Sequence, residues 1–243
     1  MEKRYIEDFP MRAAVCDMFG GWRPGAMFEA MQETAGAHRE RLGLGRPVMD
    51  GLGVAWVLSR ARVELRRRPR LGETVSVETF PLPPKHLFYP RANVFRDAAG
   101  QEIGYANSLW VLIDLATRRI VNHPAVQERL PDNGDLTAPI ALPATVRPLD
   151  GEVRRAALEP QFVDFDLNGH VNNTRYLDWC CNALGPDILR EREILRLDVN
   201  YDAEVLPGMR LETELTRRDD RFAFCGSVDG KRRFAIGGEL RAR

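Results

Sequence analysis

The chain has 243 residues, 44% of them hydrophobic and 29% charged, which suits one or two globular domains with a sizeable core. Lys plus Arg and Asp plus Glu both number 35, a balance that argues against a dedicated nucleic-acid binder. The charged start, Met1 to Pro10, lacks a signal-peptide core, no apolar run nears the ~18 residues of a membrane span, and Cys16, Cys180, Cys181 and Cys225 lack metal-finger spacing, so the expected home is the reducing cytosol.

In chain order, Gly20 to Pro24 reads as a loop. Met27, Phe28, Met31, Ala35 and His38 then recur at helical spacing, with Pro24 suited to the first turn and Gly43 and Gly45 to the stop. Strand-like runs follow. Val57, Ser59, Ala61, Val63 and Leu65 alternate with charged residues, as do Val75, Val77 and Thr79. Runs 91–97 and 101–115 flank the turn Ala98-Ala99-Gly100 as a hairpin would. Residues 122–150, with five prolines, read as a linker between an N-terminal unit, 1–121, and a C-terminal unit, 151–243. In the second unit, 161–166 reads as a strand and Asn168-Gly169-His170 as a loop. A helix is expected from Asn173 to Leu184, capped by Asn172 or Asn173 and ended by Gly185-Pro186. Leu195 to Tyr201 and Leu211 to Leu215 alternate, and Asp229-Gly230 closes a last hairpin.

The two units read as a duplication. Val63 matches Val199, Gly72 matches Gly208 and Val75 matches Leu211, all at a spacing of 136 residues with the apolar faces in phase. Upstream, Asp17-Met-Phe-Gly-Gly matches Asp166-Leu-Asn-Gly-His at a spacing of 149. One helix with an antiparallel sheet per unit suggests an α+β fold in which a sheet wraps a central helix.

The copies differ in their polar groups. Phe19 stands opposite Asn168, Gly21 opposite His170 and Arg68 opposite Glu204. Asp166, Asn168 and His170 sit at i, i+2, i+4, so an extended stretch puts all three on one side. A helix start just beyond them offers free N–H groups, near Val171 and Asn172, to an oxyanion. His170 and the carboxylates are general acid–base candidates. His38 reads as a packed or surface histidine, and Cys180 and Cys181 as core. Arg66, Arg67 and Arg70, and Arg232 and Arg233, form basic clusters that suit a solvated face or an acidic partner. No phosphate loop, dinucleotide fingerprint, nucleophile elbow or zinc-protease motif occurs.

The run Asp166-Leu-Asn168-Gly-His170-Val-Asn172-Asn173-Thr-Arg-Tyr176-Leu-Asp-Trp179 resembles the signature of the acyl-acyl carrier protein thioesterases of plant plastids and bacteria. The likeness extends to Trp56-Val-Leu-Ser-Arg60, Arg68-Pro-Arg-Leu-Gly-Glu-Thr-Val75, Val77-Glu-Thr79 and Ser108-Leu-Trp110-Val-Leu-Ile-Asp114. It implies a tandem double hotdog, two antiparallel sheets each wrapped around a long helix, and hydrolysis of fatty acyl-acyl carrier protein to free acid and carrier thiol. No metal or redox cofactor is implied. The family's catalytic Asp, Asn and His fall on Asp166, Asn168 and His170, and its Glu on Glu204. Val205 stands where plant members commonly have Cys, which removes a cysteine nucleophile. Glu204 shares strand parity with Asp198 and Asp202, so it reaches the site only where the strand bends or ends. Met27, Phe28 and Met31 are expected to line an acyl tunnel in the first unit, the protein being a monomer, as an internal pseudo-dimer, or a homodimer. Acyl-coenzyme A hydrolysis and noncatalytic acyl binding are the alternatives.

Overall fold

A computed structural model describes residues 2–243. The first half runs β1 (Tyr5–Pro10), α1 (Pro24–Arg41), α2 (Arg46–Gly51), β2 (Val54–Leu65), β3 (Thr74–Pro81), β4 (Tyr89–Arg96), β5 (Glu102–Asp114) and β6 (Ile120–Val121). A short α3 (Pro124–Gln127) precedes the second half: β7 (Glu152–Leu158), α4 (Arg175–Leu184), α5 (Pro186–Glu191), β8 (Arg192–Tyr201), β9 (Leu211–Arg218), β10 (Arg221–Val228) and β11 (Lys231–Ala242).

The double hotdog is the architecture observed, with one refinement: the two sheets are continuous. The order is β1-β3-β4-β5-β2-β8-β11-β10-β9-β7, with β6 added beside β5. Every pairing is antiparallel, and β2 against β8 joins the halves. Ala61 faces Val199, Arg62 faces Asp198 and Val63 faces Leu197. Because residues 136 apart are equivalent, this register puts the internal dyad at Arg62 and Asp198. Those two form a bidentate pair, Nε–Oδ1 2.8 Å and Nη2–Oδ2 2.9 Å, whose fork geometry holds the seam in one register.

Helix α1 starts at Pro24, whose missing N–H costs nothing there, and stops before Gly43, at φ +69°. Ala26, Met27, Phe28, Ala30 and Met31 are all buried, because this end is enclosed by the sheet and by α4. A Cβ on Gly25 would run into the Asp178 carboxylate, so the helices cross where glycine lets them approach. Phe95, Leu197, Leu211, Phe224, Phe234 and Ile236 complete the shared core from the inner sheet face.

Three local expectations are corrected. Residues 161–166 hold a 3-10 turn, Phe162–Asp164, and the first strand of this half is β7. Both β1 and β7 are sheet edges with little burial, so neither carries a strong apolar alternation. Helix α4 begins at Arg175 with Thr174 in the cap position, and the Asn172 side chain instead accepts the Thr174 N–H at 3.0 Å. In β2 a bulge at Ser59 breaks the even alternation. Leu58 lies opposite Trp110 and Ala61 opposite Ser108, so Leu58, not Ser59, shares the inner face with Ala61.

The stretch 122–150 is mostly irregular but firmly tied to the outer sheet face. Asn107 Nδ2 donates to the Ile140 and Ala141 carbonyls at 2.6 and 3.2 Å. Asn200 accepts the Val146 N–H at 2.7 Å and donates to the Ala144 carbonyl at 3.0 Å. Leu136 and Ala138 pack over Phe80, Leu82, Ala92 and Val94.

Candidate active site

The Asp166–His170 segment is a closed turn rather than an extended run. Phe165 bridges Val171, the Asp166 N–H donates to the His170 carbonyl at 3.0 Å, and the Gly169 N–H returns to the Asp166 carbonyl at 3.0 Å. Gly169 sits at φ +77°, which glycine adopts without strain. Asp166 Oδ1 accepts the Asn168 N–H at 2.8 Å, an Asx turn. The turn, not strand geometry, brings Asp166, Asn168 and His170 together. Asn168 Nδ2 is 3.4 Å from Asp166 Oδ2, and His170 Nδ1 is 3.7 Å from Asp166 Oδ1 and 3.3 Å from the Val171 carbonyl.

The expected oxyanion donors are corrected. The Val171 N–H donates to the Val205 carbonyl at 2.9 Å and the Asn172 N–H to the Asp164 carbonyl at 2.8 Å, so both are engaged. The first of these bonds has a different consequence. It clamps the loop after β8, which carries Glu204, against the turn. Strand β8 ends at Tyr201, so the parity that would have turned Glu204 away no longer applies.

Glu204 Oε1 accepts from Arg118 Nη2 at 2.6 Å. Arg118 lies in the β5–β6 turn of the other half, and nothing in its local sequence marks it as a site residue. Tyr176 on α4 is a second such neighbour. Burial, then the charges of Asp166 and Glu204, push its hydroxyl pKa up, so it stays protonated beside both carboxylates. It packs edge-on against Trp179, Tyr201 and Phe234. Its place within the signature run was the one available signal.

Beyond Asn173, a narrow cavity opens between α1 and the inner faces of β2, β4 and β5. Phe28, Met31, Ala35, Leu58, Ala61 and Trp110 form its apolar wall. Met27 is corrected out of this lining: it faces a separate space with Trp22, Val63 and Leu197, where α1 packs on the central strands. The cysteines sit apart from this chemistry. Burial pushes the Cys180 thiol well up and the Cys181 thiol to about 12, so neither is a thiolate near neutrality.

The basic clusters are partly consumed internally. Arg67 pairs with Glu73 at 2.7 Å and Asp97 at 3.1 Å, Arg70 with Glu193 at 3.1 Å, and Arg232 with Asp202 at 2.6 Å. Arg66 bonds the Tyr105 hydroxyl at 2.8 Å, and Arg233 the Glu204 carbonyl at 3.4 Å. No helix among the described residues is long and apolar enough to cross a membrane.

The family model for the acyl-ACP thioesterase N-terminal domain matches residues 2–127, and that for the C-terminal domain matches residues 149–232. A chloroplastic acyl-(acyl-carrier-protein) hydrolase of Cuphea viscosissima is 29% identical over 77% of this chain and 48% of its own length. A chloroplastic oleoyl-acyl carrier protein thioesterase of Coriandrum sativum is 27% identical over 72% of this chain and 52% of its own. The chain thus spans about half the length of the curated relatives it matches. Among solved structures, an acyl-ACP thioesterase from Bacteroides thetaiotaomicron superposes with a TM-score of 0.87 at 26% identity, covering 98% of both chains. A 12:0-ACP thioesterase from Umbellularia californica shares the fold, with a TM-score of 0.86 at 23% identity over 100% of this chain and 99% of that one. Matched in order through both halves, this chain belongs to the acyl-ACP thioesterase family.

Proposed function

We propose that the chain hydrolyses the thioester between a fatty acyl group and acyl carrier protein, releasing the free acid and the carrier thiol in fatty acid biosynthesis. The observation that carries this reading is the asymmetry of two matching turns. The second turn carries Asn168 and His170 shortly before Asn173, which lines the apolar cavity, and the loop that bears Glu204 is bonded to it through the Val171 N–H and the Val205 carbonyl. The first turn has an arginine, Arg68, in the corresponding space.

In this reading the acyl chain lies along α1 and its thioester carbonyl meets the His170 turn. Hydrogen bonding of His170 Nδ1–H to the Val171 carbonyl leaves Nε2 with its lone pair. Nε2 takes a proton from water as the oxygen attacks the carbonyl carbon. Asn168 Nδ2, held only at 3.4 Å by Asp166, donates to the carbonyl oxygen as charge grows there. The carbon–sulfur bond then breaks and Nε2 returns the proton to the leaving sulfur. Asp166 acts through the turn it anchors, and Glu204, held by Arg118, is the carboxylate that orients the water.

One chain supplies both hotdog units, so a monomer suffices for the site, and four unpaired cysteines fit a reducing cytosol. Neither nucleic acid nor membrane enters the proposed reaction. The test is steady-state hydrolysis of matched acyl-carrier and acyl-coenzyme A thioesters across chain lengths. Higher kcat/KM on the carrier thioesters, lost in His170→Ala, is expected. Preference for coenzyme A thioesters would overturn the carrier assignment, and absence of hydrolysis would overturn the activity.

A further inference from the structure

The first half of the chain reaches the candidate site of the second through one side chain. Arg118 follows β5 in the turn to β6, and its Nη2 donates to Glu204 Oε1 at 2.6 Å. The turn that carries it is closed by its own hydrogen bonds. Asp114 Oδ1 accepts the Thr117 N–H at 2.7 Å and the Thr117 hydroxyl at 2.8 Å. The Arg118 N–H donates to the Asp114 carbonyl at 2.8 Å, and the Asp114 N–H to the Arg119 carbonyl at 2.9 Å. Arg118 itself stands at φ +57°, a conformation that is uncommon for an L-residue and that the bonded turn imposes.

Glu204 depends on that arginine for its orientation. Its backbone is pinned by neighbours: the Ala203 N–H donates to the Arg233 carbonyl at 3.1 Å, Arg233 Nη1 to the Glu204 carbonyl at 3.4 Å, and the Val171 N–H to the Val205 carbonyl at 2.9 Å. Its carboxylate lies past the end of β8, and among the described residues Arg118 is the one group bonded to it. An unbonded Glu side chain samples several rotamers; one bonded from a fixed turn holds one of them. The two side chains are 56% and 40% exposed, so the ion pair adds little to stability. What it fixes is the place of a carboxylate oxygen.

The internal symmetry sharpens the point. Strand β11 corresponds to β5, since the two pair with the corresponding strands β8 and β2. Arg243, just past β11, lies 3.8 Å from Asp17 Oδ2, so each half sends an arginine to the other. In the first half Arg68 stands where Glu204 would be, and the incoming arginine meets the aspartate of the turn. In the second half it meets the extra carboxylate instead.

Resting on the thioester-hydrolase reading, we infer that Arg118 is a positioning residue of the reaction. From the first half it holds the Glu204 carboxylate in the rotamer that orients the attacking water. The reaction then needs both halves, although the imidazole and both site carboxylates belong to the second.

The test is a double-mutant cycle of Arg118→Met and Glu204→Ala, read on the acyl-carrier thioester that the wild type turns over fastest. Arg118→Met should lower kcat about 10–10²-fold, the order that a misplaced group costs, with KM and the thermal midpoint nearly unchanged. In the Glu204→Ala background the same change should cost no more than about twofold, because no carboxylate remains to be held. Arg118→Lys should recover part of the loss. Added guanidinium ion, well below denaturing concentration, should raise kcat in Arg118→Ala and not in Arg118→Ala combined with Glu204→Ala. Equal losses in both backgrounds, an unchanged kcat in Arg118→Met, or a loss confined to KM would overturn the inference and leave the hydrolase reading standing. A lowered thermal midpoint with kcat per folded molecule retained would make the pair structural and overturn it too. Absence of hydrolysis by the wild type would remove the hydrolase reading itself, and the role of Arg118 with it.

Discussion

The turns at Asp17 and Asp166 have one backbone and opposite contents. In the first, the Asp17 N–H donates to the Gly21 carbonyl at 2.8 Å, the Gly20 N–H returns to the Asp17 carbonyl at 2.9 Å, and Gly20 has φ +74°. Asp17 Oδ1 accepts the Phe19 and Gly21 N–H groups at 2.9 and 3.0 Å. The backbone bonds and the Phe19 bond match those of the second turn, where Asp166 Oδ1 accepts the Asn168 N–H. There, however, Gly21 is His170, and the space beyond Gly21 is filled by Arg68, 5% exposed. Arg68 pairs with Asp17 Oδ2 at 2.9 Å and donates to the Trp22 carbonyl at 2.8 Å. Arg243 stacks over Phe19 at 4.9 Å and lies 3.8 Å from the same carboxylate. The aspartate is therefore a property of the turn, present with or without the polar cluster. What distinguishes the second site is an imidazole in place of a glycine and a carboxylate in place of the arginine plug.

The largest effect that can break this comparison is His170→Ala. Turnover should fall ~10²–10⁴-fold with the thermal midpoint nearly unchanged. The reciprocal change, Gly21→His, should add no activity and should destabilise by ~1–3 kcal/mol, because a Cβ there meets Arg68 Nε at 2.9 Å. Wild-type turnover in His170→Ala would mean the second turn is as inert as the first.

Next come the aspartates. Asp17→Ala strands buried Arg68 and should cost ~3–5 kcal/mol in denaturant unfolding, with kcat per folded molecule retained. Asp166→Asn keeps an oxygen for the Asn168 N–H and so should keep stability. A kcat loss in that variant measures the charge, and an unchanged kcat would reduce Asp166 to its turn.

A smaller shift is expected from the apolar cavity, if the proposed acyl chain lies in it. Met31→Trp should shorten the preferred chain, since each methylene is discriminated by ~1–3 kcal/mol. Met27→Phe, in the separate space, should leave the product profile alone. An identical shift from both would show that the first half does not measure the chain through this wall.

The pH dependence of stability gives a gentler test. Burial, then the Arg91 charge, holds the His38 imidazole below its ordinary 6.5. The unfolded chain then binds the proton more readily than the native one. Stability from this group is full above about 6.5 and declines as pH falls through the lowered native value. In urea titrations His38→Gln should flatten that decline; an unchanged slope would remove His38 from the account. The smallest effect should come from replacing all four cysteines by Ser. Most turnover should survive in the folded variant, because the Cys180 and Cys181 thiols are buried and protonated. Loss of activity in a stably folded variant would return a thiol to the mechanism.

The duplication and its phase were legible in the sequence because they depend on residue spacing alone. The same spacing of 136 residues that aligns Val63 with Val199 fixes the dyad at Arg62 and Asp198 once β2 and β8 pair. Helix α1 was equally legible from its apolar period and its Pro and Gly punctuation. The members of the candidate cluster were legible as polar residues kept in one copy only. Their arrangement was not, because an Asx turn and a bend at Phe165 depend on hydrogen bonds that close over several residues. The edge strands β1 and β7 escaped because a sheet edge buries little and imposes no alternation. Long-range encounters were beyond sequence spacing altogether. Arg118 reaches Glu204 from the opposite half, Arg68 fills the space beside Gly21, and the bulge at Ser59 turns Leu58 into the cavity. Periodicity records which face a residue occupies along its own element. Only packing of the elements against one another decides which polar atoms end without partners, as Asn93 Oδ1 and Gln32 Oε1 do.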